Sequence, residues 1–162
     1  MLTYKLNCPY DLLEKLRSDL KLLEEQVTSY RFFNLVVTGY HIIDWVKNSK
    51  NTSEATKEAV KKMYEDQYIS ICRDLADACK HFELTKKHRN RKTDSAESAQ
   101  GCFGTGRFGK GVYGIGEEEI TIKCLDGREY DALQLAKAIL ETWETFFTTN
   151  NIQHPLTPAA VQ

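Results

Sequence analysis

Leu13, Leu16, Leu20, Leu23 and Val27 recur at alternating intervals of three and four residues. That spacing keeps one apolar face on a helix of about five turns. Asn7-Cys8-Pro9 marks its start, because proline is tolerated in the first helical turn. Thr28-Ser29 offers a break and a new cap. The following segment, about Tyr30–Asn48, is apolar on more than one side through Phe32, Phe33, Val36, Val37, Tyr40, Ile43 and Val46. A helix of that kind belongs at the centre of a bundle. A polar turn at Asn48–Ser53 leads to a Lys/Glu-rich helix near Glu54–Glu65. A fourth helix, about Gln67–Phe82, places Tyr68, Ile71 or Cys72, Leu75, Cys79 and Phe82 on one face.

The pattern then changes. Lys86–Lys92 is nearly all basic, Thr93–Gln100 is small and polar, and Gly101–Gly116 holds seven of the nine glycines. Dense glycine disfavours a helix, so 86–116 reads as a loop inserted between helical parts. Ile120, Ile122 and Cys124 alternate with Thr121 and Lys123, and Asp126-Gly127 signals a tight hairpin turn returning through Arg128–Tyr130. Asp131 caps a last helix carrying Leu135, Ile139, Trp143 and Phe146. The expected fold is mainly α: an antiparallel four- or five-helix bundle with a small antiparallel β-hairpin before the C-terminal helix. Residues 1–149 form the domain, with loop 86–116, hairpin 117–130 and last helix 131–149. Residues 150–162, with Pro155 and Pro158, are expected to fray.

The chain has 162 residues, 41% apolar and 28% charged, which suits one globular domain. No stretch is long and uncharged enough for a membrane span; Leu35–Val46 is interrupted by His41 and Asp44. Met1–Pro9 has no apolar stretch of a secretory leader. Five cysteines without a CxxC pair read as reduced thiols of a cytoplasmic protein. Charge is uneven. Segment 86–110 carries seven Lys/Arg against Asp94 and Glu97, a net of +5, on a remainder of −6.

Gly104-Thr-Gly106-Arg-Phe-Gly109-Lys110-Gly111 contains GxGxxG and approaches the phosphate loop. It lacks the hydroxyl after the lysine, the preceding strand and the following helix that phosphate binding needs. The basic residues Lys86, Lys87, Arg89, Arg91 and Lys92 could meet phosphates. On the second helix Asn34, Thr38, His41 and Trp45 make one polar stripe, with Asp44 beside it. On the fourth, Arg73, Asp77 and His81 recur in steps of four. If the two helices face each other, His41, Asp44, Trp45, Arg73, Asp77 and His81 share a polar pocket. Such a pocket serves as a hydrogen-bonded register lock, or as an acid–base site with His81 shuttling a proton and Arg73 holding a phosphate. A metal site from His41, Asp44, Asp77 and His81 would satisfy ligand chemistry but lacks the paired Glu-x-x-His pattern of di-metal bundles. No metal or cofactor is therefore assigned.

The run Tyr40-His41-Ile-Ile-Asp44-Trp45, followed by Cys72-Arg73-Asp74-Leu75-Ala76 and Lys80-His81-Phe82, resembles a group of uncharacterised bacterial proteins found in phages, mobile elements and gene cassettes. The resemblance spans about residues 7–147 and carries no assigned activity. A weaker similarity, to HEPN-type helical bundles, implies a ribonuclease built on an Arg and a later His. Here Arg73 precedes His81 by a longer interval than in that family, with seven residues between. With no complete catalytic motif, the leading expectation is a non-enzymatic helical module binding a protein partner, or itself as a homodimer through an apolar helix face. The alternatives are a ribonuclease or nucleic-acid-binding protein using Arg73, His81 and the basic run, and a metal-binding bundle.

Overall fold

The computed structural model describes residues 6–81, 91–100 and 118–154, with the side chains of 79–81 and 100 outside that description. Among these residues the chain forms five α-helices and one three-stranded antiparallel sheet: α1 Pro9–Glu25, α2 Ser29–Asn48, α3 Glu54–Lys61, α4 Gln67–His81, β1 Thr93–Gln100, β2 Glu118–Cys124, β3 Glu129–Asp131 and α5 Ala132–Thr149. A 3-10 turn at Lys62–Glu65 finishes α3. None of the described helices is long and apolar enough to cross a membrane.

The helix starts follow local chemistry. Pro9 opens α1, and the Asp11 carboxylate accepts the Cys8 N–H at 3.0 Å. Thr28, Ser53 and Asp131 each accept a first-turn N–H of the helix they precede. At the start of α4 the Asp66 carboxylate takes the N–H groups of Tyr68 and Ile69. Each cap satisfies a backbone donor that no intrahelical carbonyl reaches.

The leucine face of α1 is buried as its spacing predicts, with Leu16 and Leu23 at 0% exposure. α1 and α2 run in opposite directions, since Arg31 bonds the Leu22 carbonyl while Thr38 meets Asp19. α1 and α5 are also antiparallel, fastened by Arg17–Glu144 and Glu24–Lys137. α4 lies on α2, where the Cys72 thiol donates to the Val36 carbonyl at 3.0 Å. Gly39 makes the approach possible: a Cβ there would stand 3.0 Å from Ile139 Cγ2 and 3.3 Å from Cys72 Sγ. The core combines Leu35, Ile42, Ile71, Leu135, Ile139 and Trp143 from these helices with Ile122 from the sheet, all essentially inaccessible. Burial of this kind makes truncation of any one of these aliphatic side chains to Ala cost about 2–5 kcal/mol.

The sheet departs from expectation. Thr93–Gln100 is not loop but strand β1, and it pairs with β2 from Thr93↔Cys124 to Gln100↔Glu118. The hairpin is therefore part of a three-stranded sheet ordered β1-β2-β3. β2 turns Ile120, Ile122 and Cys124 inward. β1 buries only Thr93, so it owes its form to pairing rather than to an apolar face. The turn after β2 is also longer than a two-residue Asp-Gly hairpin. Gly127 N–H bonds the Cys124 carbonyl, Cys124 N–H bonds the Arg128 carbonyl, and Gly127 takes φ +84°. This is the three-residue loop with glycine in the left-handed position.

At the end of α5, within the segment expected to fray, Asn150 caps the helix, Ile152 N–H bonds the Phe147 carbonyl at 2.9 Å, and Ile152 packs against the core. The rest of the expected tail, 155–162, lies outside the described residues.

Candidate functional site

The polar stripe on α2 faces α1. Asn34, Thr38, His41 and Trp45 line a cleft of about 320 Å3, opposite Leu12 and Lys15 of α1 and with Leu6 at one end. Beside the cleft lies a closed three-residue network. Lys15 Nζ donates to Asp19 Oδ2 at 2.6 Å and to Thr38 Oγ1 at 2.8 Å. Thr38 Oγ1 is 2.7 Å from Asp19 Oδ2 and 2.8 Å from the Asn34 carbonyl, two acceptors for its single proton. Asp19 and Thr38 are buried, while the Lys15 side chain is 40% exposed. A buried carboxylate is tolerated here because two donors satisfy it. Lys15 uses two of its three N–H groups in this way and keeps a third.

Thr38 is 4% exposed. His41 is exposed and its ring leans on Tyr40, with centroids 6.3 Å apart.

Of the other expected pocket residues, Asp44, Arg73 and Asp77 lie near enough to Tyr40 for their charges to act on it. Its phenol is pushed up to about 12, first by burial and then by the charges of Asp77 and Asp44 and the neighbouring Tyr64, with Arg73 opposing them. Arg73 is itself engaged: its Nη2 lies 2.8 Å from Asp74 Oδ1. Asp74, 2% exposed, also takes the backbone N–H groups of Lys92 at 2.5 Å and Thr93 at 3.0 Å. Arg73 and Asp74 therefore join α4 to the start of β1. α2 and α4 are in contact, but His41 and Trp45 sit on the α1 side of α2 and Arg73 on the Tyr40 side. The side chain of His81 lies outside the described residues.

Within the basic run, the Arg91 guanidinium bonds the carbonyls of Thr93 and Asp94, and Lys92 is exposed. Lys86, Lys87 and Arg89, and the glycine motif 104–111, lie outside the described residues. Cys8, Cys72 and Cys124 are buried free thiols, as expected; Cys102 and the side chain of Cys79 are not among the described groups. Burial raises the Cys72 thiol far above its usual range. For the apolar face expected to mediate self-association, α2 offers Tyr30 at 84% and Phe33 at 43% exposure.

Neither a scan against protein-family models nor searches of curated proteins and of solved structures finds a match to this chain.

Sequence reasoning missed two elements of the site. Lys15 and Asp19 are visible as an i, i+4 pair, but such pairs ordinarily lie on solvated faces. Tyr40 reads as one apolar residue among many, although its place next to His41 in the Tyr-His-x-x-Asp-Trp run was available as a signal.

Proposed function

We propose that the chain is a non-enzymatic binding module, an antiparallel helical bundle whose α1/α2 cleft takes a small ligand with an apolar body and a carboxylate or similar acceptor end. The observation that carries this reading is the Lys15 ammonium fixed in the lining of a cleft whose walls are Leu6, Leu12, Val37 and Trp45. Ligand sites combine mostly apolar walls with a few placed polar groups, in clefts from about 300 Å3 upward. Lys15, Asn34 and His41 supply those groups, and among the described residues no carboxylate lines the cleft. Asp19 neutralises part of the lysine charge from behind, so the site favours a single acceptor group over a multiply charged anion. Holding Lys15 in place through Asp19 and Thr38 lowers the ordering cost of binding.

The test is an NMR titration of the full chain with phenylacetate and with phenethylamine. Phenylacetate is expected to shift the Val37, His41 and Trp45 resonances, with the amine at least about tenfold weaker, as one charge-assisted hydrogen bond implies. Equal response to both probes, or none at these residues, refutes the reading. Steeply salt-dependent binding of an RNA oligonucleotide would instead favour the nucleic-acid alternative on Arg73, His81 and the basic run.

A further inference from the structure

A second constellation lies at the start of α1, where the segment leaving α5 meets it. Cys8, Asp11 and His154 each present a ligand atom there, and the three atoms lie within 4.8 Å of one another. His154 Nε2 stands 3.2 Å from Asp11 Oδ1. Around a tetrahedral zinc ion, a nitrogen and an oxygen ligand are separated by about 3.3 Å. The imidazole and the carboxylate thus already have the spacing of two ligands on one ion. Around such an ion the thiol, with a metal bond of about 2.3 Å, would stand about 3.5 Å from each of them, against a present separation of at most 4.8 Å.

The surrounding contacts orient these groups. Asp11 Oδ2 is held by the Asn7 N–H at 2.7 Å and the Cys8 N–H at 3.0 Å, which leaves Oδ1 toward His154. Metal-binding carboxylates are oriented by outer hydrogen bonds of this sort. The His154 ring stands edge-on to Tyr10, with centroids 6.0 Å apart and planes at 78°. The Ile152 N–H bond to the Phe147 carbonyl fixes the backbone two residues earlier.

We propose that Cys8, Asp11 and His154 form a binding site for one divalent ion of the zinc class. Thiolate, imidazole and carboxylate together suit a borderline ion such as zinc or cobalt rather than magnesium or calcium. The Cys8 S–H bond breaks, its proton passes to solvent, and the sulfur–metal bond forms with no change of oxidation state. His154 coordinates through an unprotonated ring nitrogen and keeps its N–H on the other. Three protein ligands leave a fourth position for water or an incoming group. The ion would clamp the segment after α5 onto the start of α1. This site is separate from the α1/α2 cleft and stands or falls independently of it.

The experiment is a cobalt(II) titration of the reduced full chain followed by absorption, with zinc as competitor. One equivalent is expected to give a thiolate-to-cobalt charge-transfer band and the visible bands of a four-coordinate ion, both removed by zinc. Cys8→Ser and His154→Ala are each expected to bind about 100-fold more weakly or worse, since even outer-shell changes cost 10–100-fold. His154 follows the last helix, so its substitution tests the site in a folded protein. Absence of the charge-transfer band in the wild-type chain, or its survival at full strength in His154→Ala, overturns the proposal.

Discussion

The Asp74 carboxylate of α4 accepts the backbone N–H of Thr93, the first residue of β1, at 3.0 Å. A helix side chain thereby fixes where the edge strand begins. The same carboxylate receives the Lys92 N–H and the Arg73 guanidinium, so its charge is satisfied from three directions at 2% exposure. Asp74→Ala removes the acceptor shared by the Arg73 guanidinium, the buried Thr93 N–H and the part-buried Lys92 N–H. Loss of one member of a buried, paired set costs about 3–5 kcal/mol. Urea denaturation is expected to show that loss. Amide exchange should quicken in β1, at Ala96 and Ser98, more than in α1, where Leu16 and Leu20 report. A destabilisation below 1 kcal/mol would mean that β1 is held by pairing with β2 alone.

Gly39 and Gly127 predict opposite mechanisms for one substitution. In Gly39→Ala the new methyl meets Ile139 Cγ2 at 3.0 Å and Cys72 Sγ at 3.3 Å. Overpacking costs about 1–3 kcal/mol, partly offset by a gain of about 1 kcal/mol in helix propensity. A net loss of up to about 2 kcal/mol is expected from those terms, and Ile139→Leu, which removes the Cγ2 branch, should relieve part of it. Gly127→Ala meets nothing within 4 Å but forces a side chain into φ +84°. Its cost of about 1 kcal/mol should not respond to Ile139→Leu. A double-mutant cycle measured by thermal or urea unfolding separates the two.

Asp11 gives the acid-side dependence. Burial alone would raise its carboxyl. The N–H groups of Asn7 and Cys8, the Cys8 thiol and the His154 ring outweigh it and hold the carboxyl below the usual value of 3.8. A group depressed in the folded state contributes stability above its unfolded value and loses it as pH falls through the folded one. Asp11→Asn is therefore expected to be less stable than the wild-type chain at neutral pH, by about 1 kcal/mol as for other helix-start contacts. The gap should close as pH drops below 3.8. Chelator-treated protein is the sample to compare, so that the carboxylate's own hydrogen bonds are read. A gap that persists unchanged at low pH would contradict the assignment.

The helices were legible because leucine spacing and caps are local signals. Leu13, Leu16, Leu20 and Leu23 announce α1, and Asp131 announces α5. β1 was not legible for a physical reason. Thr-Asp-Ser-Ala-Glu-Ser-Ala-Gln has no apolar alternation, and its strand form comes from β2 and from Asp74, nineteen positions before Thr93. Half of the candidate site was visible in the same way. The 34/38/41/45 stripe is a helical periodicity, whereas the helix it faces is a tertiary fact. Thr38 sits at 4% exposure because Asp19 of α1 lies against it, and no spacing within α2 encodes that partner. Residues 150–154 read as a fraying end for want of periodicity; one backbone bond and the packing of Ile152 are found there.

Lys15→Met tests the central claim most directly, since it keeps the aliphatic stem and removes the ammonium. The Trp45 indole N–H resonance reports cleft occupancy, while Trp143, at 0% exposure, serves as the internal reference. In the wild-type chain phenylacetate should shift Trp45 saturably and leave Trp143 in place. In Lys15→Met the preference for phenylacetate over phenethylamine should vanish, a change of about tenfold or more. A wild-type Trp45 resonance indifferent to both compounds, or an unchanged preference in Lys15→Met, would contradict a binding cleft organised by Lys15.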